Sequence, residues 1–238
     1  MTTAPALYLQ GTADIGDVPI FTNLDLAVPA GAWTCLLGAS GVGKSTVLRL
    51  FAGLADHVTF QGGWGASDGP LVGRVTLMAQ DDLLLPWLSV LENTLLGARL
   101  RGEGGNRPRA MDILAQVGLS DHMGKKPTAL SGGQRQRAAL ARTLMEDRPI
   151  VLLDEPFSAL DAVTRAQMQD LTAHALQGRT VLLVTHDPAE AARLGHQIVI
   201  MTQSGITPVS VPHGTVPRPV DDTGVLQTQA RLLKGLVQ

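Results

Sequence analysis

Residues 38–45 form a glycine-rich segment with the composition of a loop that holds phosphate groups. Closely spaced glycines let backbone N–H groups turn inward toward phosphate oxygens, and a helix that begins directly after them adds its positive end. Lys44 can neutralise the β- and γ-phosphates of a nucleotide, and Ser45 can be a ligand of Mg²⁺. The residues that we predict to contact the nucleotide are Gly38, Ala39, Ser40, Gly41, Val42, Gly43, Lys44, Ser45 and Thr46.

A pair of acidic residues, Asp154 and Glu155, follows an apolar run at residues 150–153. The carboxylate of Asp154 can hold Mg²⁺ through water, and that of Glu155 can orient and activate the water that attacks a γ-phosphoryl group. On its own, an Asp-Glu pair after a strand usually marks a turn with solvated charges. Its occurrence together with the phosphate loop favours catalysis instead.

Apolar, β-rich runs precede each of the candidate functional positions. Because helical patterns alternate with these runs, the chain is predicted to have an α/β fold with a mostly parallel sheet. Ligands of such sheets bind beyond the carboxyl ends of the strands, where we therefore expect the phosphate loop, Gln80, the acidic pair and His186 to lie. The predicted buried strands are Trp33–Leu37, Val75–Met78, 150–153 and 181–184.

The middle of the chain changes to helical patterns. Ser89 and Glu92 have the spacing of a capping box, and residues 110–117 continue a helical apolar pattern. We expect a single domain over residues 1–238, in which a helical subdomain at about 86–145 is inserted between core segments at about 1–85 and 146–205. The tail, at about 206–238, is rich in proline and ends in an amphipathic segment, 226–236. A helix packed on the core is the favoured interpretation of that segment, and a regulatory element is the alternative.

Composition restricts the class of protein. The 238 residues have a formal net charge of −2, with 19 Lys and Arg against 21 Asp and Glu, which does not favour a nucleic-acid partner. The single cysteine, Cys35, lies in an apolar run and is predicted to be a buried strand residue in a reducing compartment. We see no secretion signal in residues 1–10 and no stretch long enough to span a membrane, so other chains would cross the bilayer in any membrane process.

A further motif, at residues 130–134, identifies a family. With the phosphate loop, Gln80, the acidic pair and His186, in that chain order around it, this segment resembles the ATP-binding subunits of ABC transporters over about residues 5–205. The resemblance implies a P-loop NTPase core with an N-terminal antiparallel β portion. It also implies ATP and Mg²⁺ as cofactors and a head-to-tail homodimer, in which each ATP lies between the phosphate loop of one subunit and this motif of the other. The motif consists of Leu130, Ser131, Gly132, Gly133 and Gln134.

The motif also has a physical basis as an anion site. Ser131 can cap the following helix, so that its hydroxyl, the amides of Gly132 and Gly133 and the positive end of the helix surround a site with no internal anion. We predict that these three residues and Gln134 contact the nucleotide of the partner subunit.

The resemblance assigns further roles. It gives the amide of Gln80 to Mg²⁺ and the attacking water, and it gives His186 a hydrogen bond to the γ-phosphate and to Glu155. It places Asp161 in a loop that contacts the other subunit, although the local pattern predicts an N-cap for the next helix, and both can hold. Taken alone, a loop glutamine is polar surface and a lone histidine is usually structural, the interpretation that His57, His122, His174, His196 and His213 receive.

One position departs from the family. Members usually carry an aromatic residue before the phosphate loop that stacks on adenine, and the matching residue here is Ile15. Isoleucine can cover one face of the base but gives up aromatic stacking. Tyr8 is a weak substitute.

The resemblance also implies the setting of the protein. It predicts a peripheral subunit at the cytoplasmic face of the inner membrane, with integral-membrane permease subunits and a separate solute-binding protein as partners. Residues 80–88 carry an apolar cluster that either packs in the core or receives a membrane partner. The sequences at residues 84–88, at Glu92-Asn93 and at 217–219 are similar to those of importers of the nitrate, sulfonate, taurine and thiamine-pyrimidine type. The alternatives are an exporter subunit, or an ATPase acting on nucleic acid or ribosomes, which would carry coiled-coil insertions or a second cassette.

Overall fold

The structure, a computed structural model, describes residues 4–237 and divides into two compact units. The first unit takes the described residues of Met1–Leu77, Arg148–Glu155 and Gln177–Gln238. The second takes Met78–Asp147 and Pro156–Leu176, so it contains a segment beyond residue 155 that the sequence placed outside the helical subdomain.

Strands and helices alternate along the chain as the apolar patterns predict. The strands are β1 (Leu7–Ile15), β2 (Val18–Val28), β3 (Trp33–Leu37), β4 (Thr59–Ala66), β5 (Val75–Met78), β6 (Ile150–Asp154), β7 (Thr180–Val184), β8 (Gln197–Thr202) and β9 (Gly205–Val209). The helices are α1 (Lys44–Ala52), α2 (Val90–Thr94), α3 (Leu96–Leu100), α4 (Arg107–Gln116), α5 (Gly132–Met145), α6 (Ala162–Ala175), α7 (Pro188–Leu194) and α8 (Thr223–Val237).

Two sheets build the first unit. The antiparallel sheet has the strand order β2-β1-β4, which confirms the predicted N-terminal antiparallel portion. The larger sheet has the order β5-β6-β7-β3-β8-β9, in which β6, β7, β3 and β8 run parallel and β9 is antiparallel to β8. Every residue of β3, β6 and β7 is buried, as expected for parallel strands that are covered on both faces. The predicted α/β fold is thus confirmed.

Helices of the first unit cover the large sheet. Val47 and Phe51 of α1 belong to the same core cluster as Leu36, Leu152 and Leu182 of the central strands. Cys35 of β3 is fully buried and burial raises the pKa of its thiol, so its predicted place in the core is confirmed.

The tail packs on the first unit as predicted. Helix α8 starts at Thr223, earlier than the apolar pattern alone indicated, because the carboxylate of Asp222 accepts a hydrogen bond from Val225 N. Val225 and Leu232 are buried, and α8 packs against α7.

A buried arginine holds the segment before α8. Arg218 comes directly after the cis peptide bond Val216-Pro217. Its Nη1 donates to the carbonyls of Ala192 and Gly195 at 3.1 and 2.9 Å. These carbonyls belong to the C-terminal end of α7, whose last C=O groups lack partners within the helix. Arg218 therefore fixes the tail to the helix that follows His186.

The second unit consists of helices and short connecting turns. The capping box of α2 is confirmed, because Glu92 N donates to Ser89 Oγ and Ser89 N donates to Glu92 Oε2. Single turns of 3-10 helix at Ser120–His122 and Pro127–Ala129 lead into α5, and α6 belongs to the same unit.

Candidate functional site

The phosphate loop joins β3 to α1, and steric constraints fix its glycines. Gly41 and Gly43 have φ angles of 81° and 103°, a region that other residues rarely adopt. A Cβ on Gly43 would lie 2.6 Å from Ile20 Cγ2, and one on Gly38 would lie 2.6 Å from the carbonyl oxygen of Met201. A side chain at position 38 would collide with the backbone of β8, and one at position 43 would collide with neighbouring side chains and be strained by its φ angle, so the loop conformation favours glycine at both.

Lys44 occupies the first position of α1 and is only 7% exposed. Its Nζ donates to the carbonyls of Gly38 and Ala39, both at 2.8 Å. Burial lowers the pKa of Lys44, and the nearby charges of Glu155 and Asp154 act in the opposite direction. The ammonium group is thus held inside the loop, where a phosphate group would offer it stronger acceptors than the two carbonyls.

Asp154 ends β6 and lies beside the hydroxyl of Ser45. Burial raises the pKa of Asp154, while the hydrogen bond with Ser45 and the charges of Arg49 and Lys44 oppose that shift. A hydroxyl next to a carboxylate is a fitting oxygen donor pair for Mg²⁺. Among residues 4–237 there is no group of three or more His, Cys, Asp and Glu side chains that could hold a metal.

Glu155 and His186 are in direct contact. His186 Nδ1 lies 3.0 Å from Glu155 Oε2, which confirms the predicted contact between these side chains. Glu155 has a φ of 49°, and its N–H donates to the carbonyl of Val184 at 2.9 Å. A non-glycine residue in this region is uncommon and marks backbone held by its surroundings.

Helix α7 fixes the backbone around His186. Thr185 Oγ1 accepts from Asp187 N at 3.0 Å and donates to the buried carboxylate of Glu190 at 2.7 Å. The predicted helix start is confirmed, with Asp187 as the N-cap and Pro188 at the first position. The first unit thereby brings five of the predicted residues to one end of the sheet. They are Lys44, Ser45, Asp154, Glu155 and His186.

The motif at residues 130–134 lies in the second unit, at the start of α5. Its predicted cap is confirmed, because Ser131 Oγ accepts from Gln134 N at 3.2 Å and Gln134 Oε1 accepts from Ser131 N at 2.9 Å. Gly133 is packed closely, since a Cβ would lie 3.3 Å from the carbonyl oxygen of Ala159. Ser131 and Gly132 are exposed, so the helix start faces outward.

Gln80 also lies in the second unit, on the exposed segment after β5. Its contribution to Mg²⁺ and water stays a prediction, as do the nucleotide contacts of the motif in α5. Asp161 caps α6 by accepting from Val163 N and Thr164 N, which confirms the local prediction for that residue. His196 has the structural role expected of it, because its Nδ1 accepts from Trp33 N at 3.1 Å and burial lowers its pKa.

The segment after Gln80 is held by hydrogen bonds of Asn93 and Arg142 that the sequence did not predict. Asn93, which is buried, accepts from Leu85 N and donates to the carbonyls of Leu85, Leu88 and Ser89. Arg142 donates to the carbonyls of Asp82 and Leu83. An asparagine inside a short helix was the available signal for the first of them, since its side chain often bonds nearby backbone.

The apolar cluster of that segment divides between core and surface. Leu84 is buried, whereas Leu83 and Trp87 are 62% and 65% exposed. The core interpretation therefore holds for Leu84, and contact of the exposed residues with a membrane partner stays a prediction. Leu83 and Trp87 belong to a backbone segment that hydrogen bonds of Asn93 and Arg142 hold in place.

Ile15 ends β1 opposite Val18, and both side chains are exposed. Ile20, further along the same hairpin, faces Gly43 of the phosphate loop. Tyr8 lies at the other end of β1 beside Gly65, about 23 Å from Ile15 at the usual rise of a strand. Tyr8 and Ile15 therefore cannot occupy the same place against a base.

We predict that Ile15→Tyr tightens ATP binding about two- to twelvefold, because an aromatic ring adds stacking on the base. Titration calorimetry measures the affinity, and Val72→Tyr adds the same ring at an exposed site elsewhere in the first unit. An unchanged affinity in Ile15→Tyr would place the base away from this hairpin.

Known proteins are similar to this chain in sequence and in fold. Residues 21–158 match the ABC transporter family. An aliphatic sulfonates import ATP-binding protein of Rhodococcus jostii (strain RHA1) is 43% identical over an alignment 245 positions long, which covers 98% of this chain and 96% of that protein. A protein of Agrobacterium fabrum (strain C58 / ATCC 33970) with the same description is 49% identical over 193 residues, which cover 79% of this chain and 72% of that protein.

A solved structure agrees with these relatives. The dimeric structure of MJ0796, described as a bacterial ABC transporter cassette, is 29% identical and superposes with a TM-score of 0.76, covering 88% of this chain and all of that one. The same cassette has also been solved in a post-hydrolysis state bound to ADP and Pi, with the same coverage and TM-score. None of the helices within residues 4–237 is long and apolar enough to cross a bilayer. From its sequence and its fold, this chain belongs to the ABC transporter family as an ATP-binding protein.

Proposed function

We propose that this chain is the ATP-hydrolysing subunit of an importer for small organic anions and that it works as a homodimer on the cytoplasmic face of the inner membrane. The observation that carries the proposal is the contact between His186 and Glu155, at the same end of the sheet as Lys44 and Asp154. This arrangement supplies both an electrostatic site for phosphates and a held base for water.

Phosphate binding falls to the loop and its lysine. The N–H groups at the start of α1 and the ammonium of Lys44 would bind the β- and γ-phosphates. Ser45 and Asp154 would hold Mg²⁺, with Gln80 as a further ligand, and the ion supplies positive charge that stabilises the transferred phosphoryl group. Thr46 and the loop backbone would complete the contacts to the nucleotide.

Glu155 performs the proton transfer in this proposal. A water placed between its carboxylate and the γ-phosphate gives its proton to Glu155 while its oxygen forms a bond to phosphorus. The bond between the γ-phosphorus and the bridging oxygen breaks, and ADP and inorganic phosphate result. The hydrogen bond from His186 orients the carboxylate, and its ring can also contact the γ-phosphate.

The exposed start of α5 supports the proposed dimerisation. The Ser131 hydroxyl and the first amides of the helix have no internal anion to bind, and the γ-phosphate of a partner subunit is a suitable one. Moving a two-state equilibrium from 1:99 to 99:1 takes roughly 5.5 kcal/mol, and charged hydrogen bonds contribute about 1.5 to 3 kcal/mol each. A few contacts that exist only in the closed dimer would therefore drive closure, and hydrolysis would remove them.

The exposed side chains of Leu83 and Trp87 are the surface that we propose for the permease subunit. A held backbone with an apolar, aromatic tip suits the docking of a short helix from a membrane partner. Residues at such tips often carry much of the binding free energy, tryptophan above all.

We expect Trp87→Ala to weaken binding to the permease at least tenfold while the ATPase activity of the isolated subunit stays within about twofold of wild type. Co-purification of the two subunits with increasing salt and detergent measures the first quantity. Leu100→Ala, which removes another exposed apolar side chain of the second unit, is the control and should leave co-purification unchanged. Equal retention of permease by the Trp87 and Leu100 variants would place the docking surface elsewhere.

The solute is proposed from the relatives, whose names describe import of aliphatic sulfonates. Cells that lack this chain should fail to grow on an alkanesulfonate as the sulfur source, yet grow normally on sulfate. A separate solute-binding protein should be required in the same way. Normal growth on sulfonates would contradict the proposed solute. Absence of ATP hydrolysis by the purified complex of this chain with its permease would contradict the proposed function itself.

A further inference from the structure

The side chain of Gln134 is hydrogen-bonded at both of its ends. Its Oε1 accepts from Ser131 N at 2.9 Å, and its Nε2 lies 3.0 Å from Nε2 of His122. His122 ends the short 3-10 turn at Ser120–His122, so a residue outside the motif reaches into its capping box.

These contacts determine where each hydrogen lies. A backbone N–H can only donate, so the amide of Gln134 must direct its oxygen toward Ser131. Its NH₂ group, which can only donate, then faces His122. Nε2 of His122 must therefore accept, and the ring must be neutral with its proton on Nδ1.

The other ring nitrogen of His122, Nδ1, is buried and makes no hydrogen bond within the described part of the chain. Buried donors normally find partners, and each exception calls for an explanation. Here the explanation is the bond of Nε2 to Gln134. It is the one polar interaction that the structure shows for the ring, and it leaves Nδ1 with the proton and without a partner among the described residues.

We propose that His122 is a positioning residue for the phosphate-contacting start of α5. By accepting from Gln134, it turns the amide oxygen of that residue onto Ser131 N, which holds the Ser131 hydroxyl and the first turn of α5 in one orientation. His122 does not touch the nucleotide. This role rests on the proposed function, since it acts on the γ-phosphate site that Ser131 would offer to a partner subunit.

The first test is spectroscopic and requires no nucleotide. Long-range ¹H–¹⁵N correlation of the histidine rings at about pH 8, with the His122 signals assigned by their loss in His122→Gln, reports which nitrogen carries the proton. We expect the proton on Nδ1 and an unprotonated, accepting Nε2. A proton on Nε2 would overturn the proposal whatever the protein does with ATP.

The second test measures ATP-driven dimerisation by sedimentation in the hydrolysis-deficient Glu155→Gln background. One hydrogen bond corresponds to about fivefold in an equilibrium constant, and a dimer has two such sites. We expect His122→Leu to raise the concentration for half-maximal dimer formation about five- to 25-fold, without changing the affinity of the monomer for ATP. His122→Gln, whose Oε1 offers an acceptor close to the position of the imidazole Nε2, should restore dimerisation to within about twofold.

A double-substitution cycle separates positioning from mere packing. In a Gln134→Leu background the acceptor has no partner, so His122→Leu should have no further effect on dimerisation. Additive effects of the two substitutions would contradict the positioning role. If Glu155→Gln fails to dimerise with ATP at all, the proposed function fails instead, and the spectroscopic test still decides the proton position of His122.

Discussion

Glu155→Gln is expected to bind ATP with near wild-type affinity and to lose steady-state hydrolysis by about 10²- to 10⁴-fold. The amide keeps the shape of the side chain and can remain beside His186, but it cannot take a proton from water. The positively charged groups around the phosphates are unchanged, so binding persists. Because hydrolysis no longer removes the γ-phosphate, the variant should accumulate as an ATP-bound dimer.

Phosphate release measures the turnover of this variant, and sedimentation with ATP measures its dimerisation. Asp56→Asn makes the same chemical change at an exposed position of the first unit and should leave both quantities unchanged. Hydrolysis at the wild-type rate would show that Glu155 is not the base. Lost ATP binding would show instead that the carboxylate of Glu155 is needed to maintain the local structure, in which the backbone of this residue has a φ of 49°.

The sheet was predictable because of how parallel strands are buried. A strand covered on both faces appears in sequence as a short, mostly apolar run, and β3 has the bounds that its run predicts, with β6 and β7 each one residue longer. The edge strand β5, which is only partly buried, also has its predicted bounds. The caps at Ser89, Ser131, Asp161 and Asp187 were equally predictable, since a cap depends on residues within a few positions of each other.

Bonds to distant backbone left no local pattern. Arg218 donates to carbonyls more than 20 residues away, and Arg142 to carbonyls about 60 residues away, so spacing along the chain contains no trace of either. The same applies to His122, which received the structural interpretation that a lone histidine usually has. Its role becomes visible only when the orientation of Gln134 is known.

The candidate site was predictable within one unit and less so across the chain. The phosphate loop and the acidic pair follow from short-range chemistry, and the contact of His186 with Glu155 followed from the family resemblance. The predicted contacts of Gln80 and of the motif at residues 130–134 are with a nucleotide, Mg²⁺ or a second subunit, none of which belongs to this chain. Neither spacing nor the fold of the second unit tests their contacts with a nucleotide, so those contacts stay predictions.

Lys44→Ala is expected to weaken ATP binding about 10- to 100-fold. Charged hydrogen bonds contribute about 1.5 to 3 kcal/mol each, and the ammonium group would make them to two phosphates. Part of this gain is offset, because Nζ donors that bind phosphate give up the carbonyls of Gly38 and Ala39, to which Lys44 Nζ donates at 2.8 Å. The net loss is therefore smaller than the sum of the new bonds.

Titration calorimetry gives the affinity of the Lys44 variant, and the shift of its unfolding temperature by ATP gives a second measure. At ATP concentrations about 100 times the wild-type dissociation constant, binding stabilises the fold by about 2.7 kcal/mol, and a hundredfold weaker site would lose most of this. Lys125→Ala removes an exposed lysine of the second unit and should keep the full shift. If the two variants bind ATP equally well, the phosphates do not lie against Lys44. The charge of Lys44 is buried in the loop, so its removal would weaken the binding of any phosphate held there.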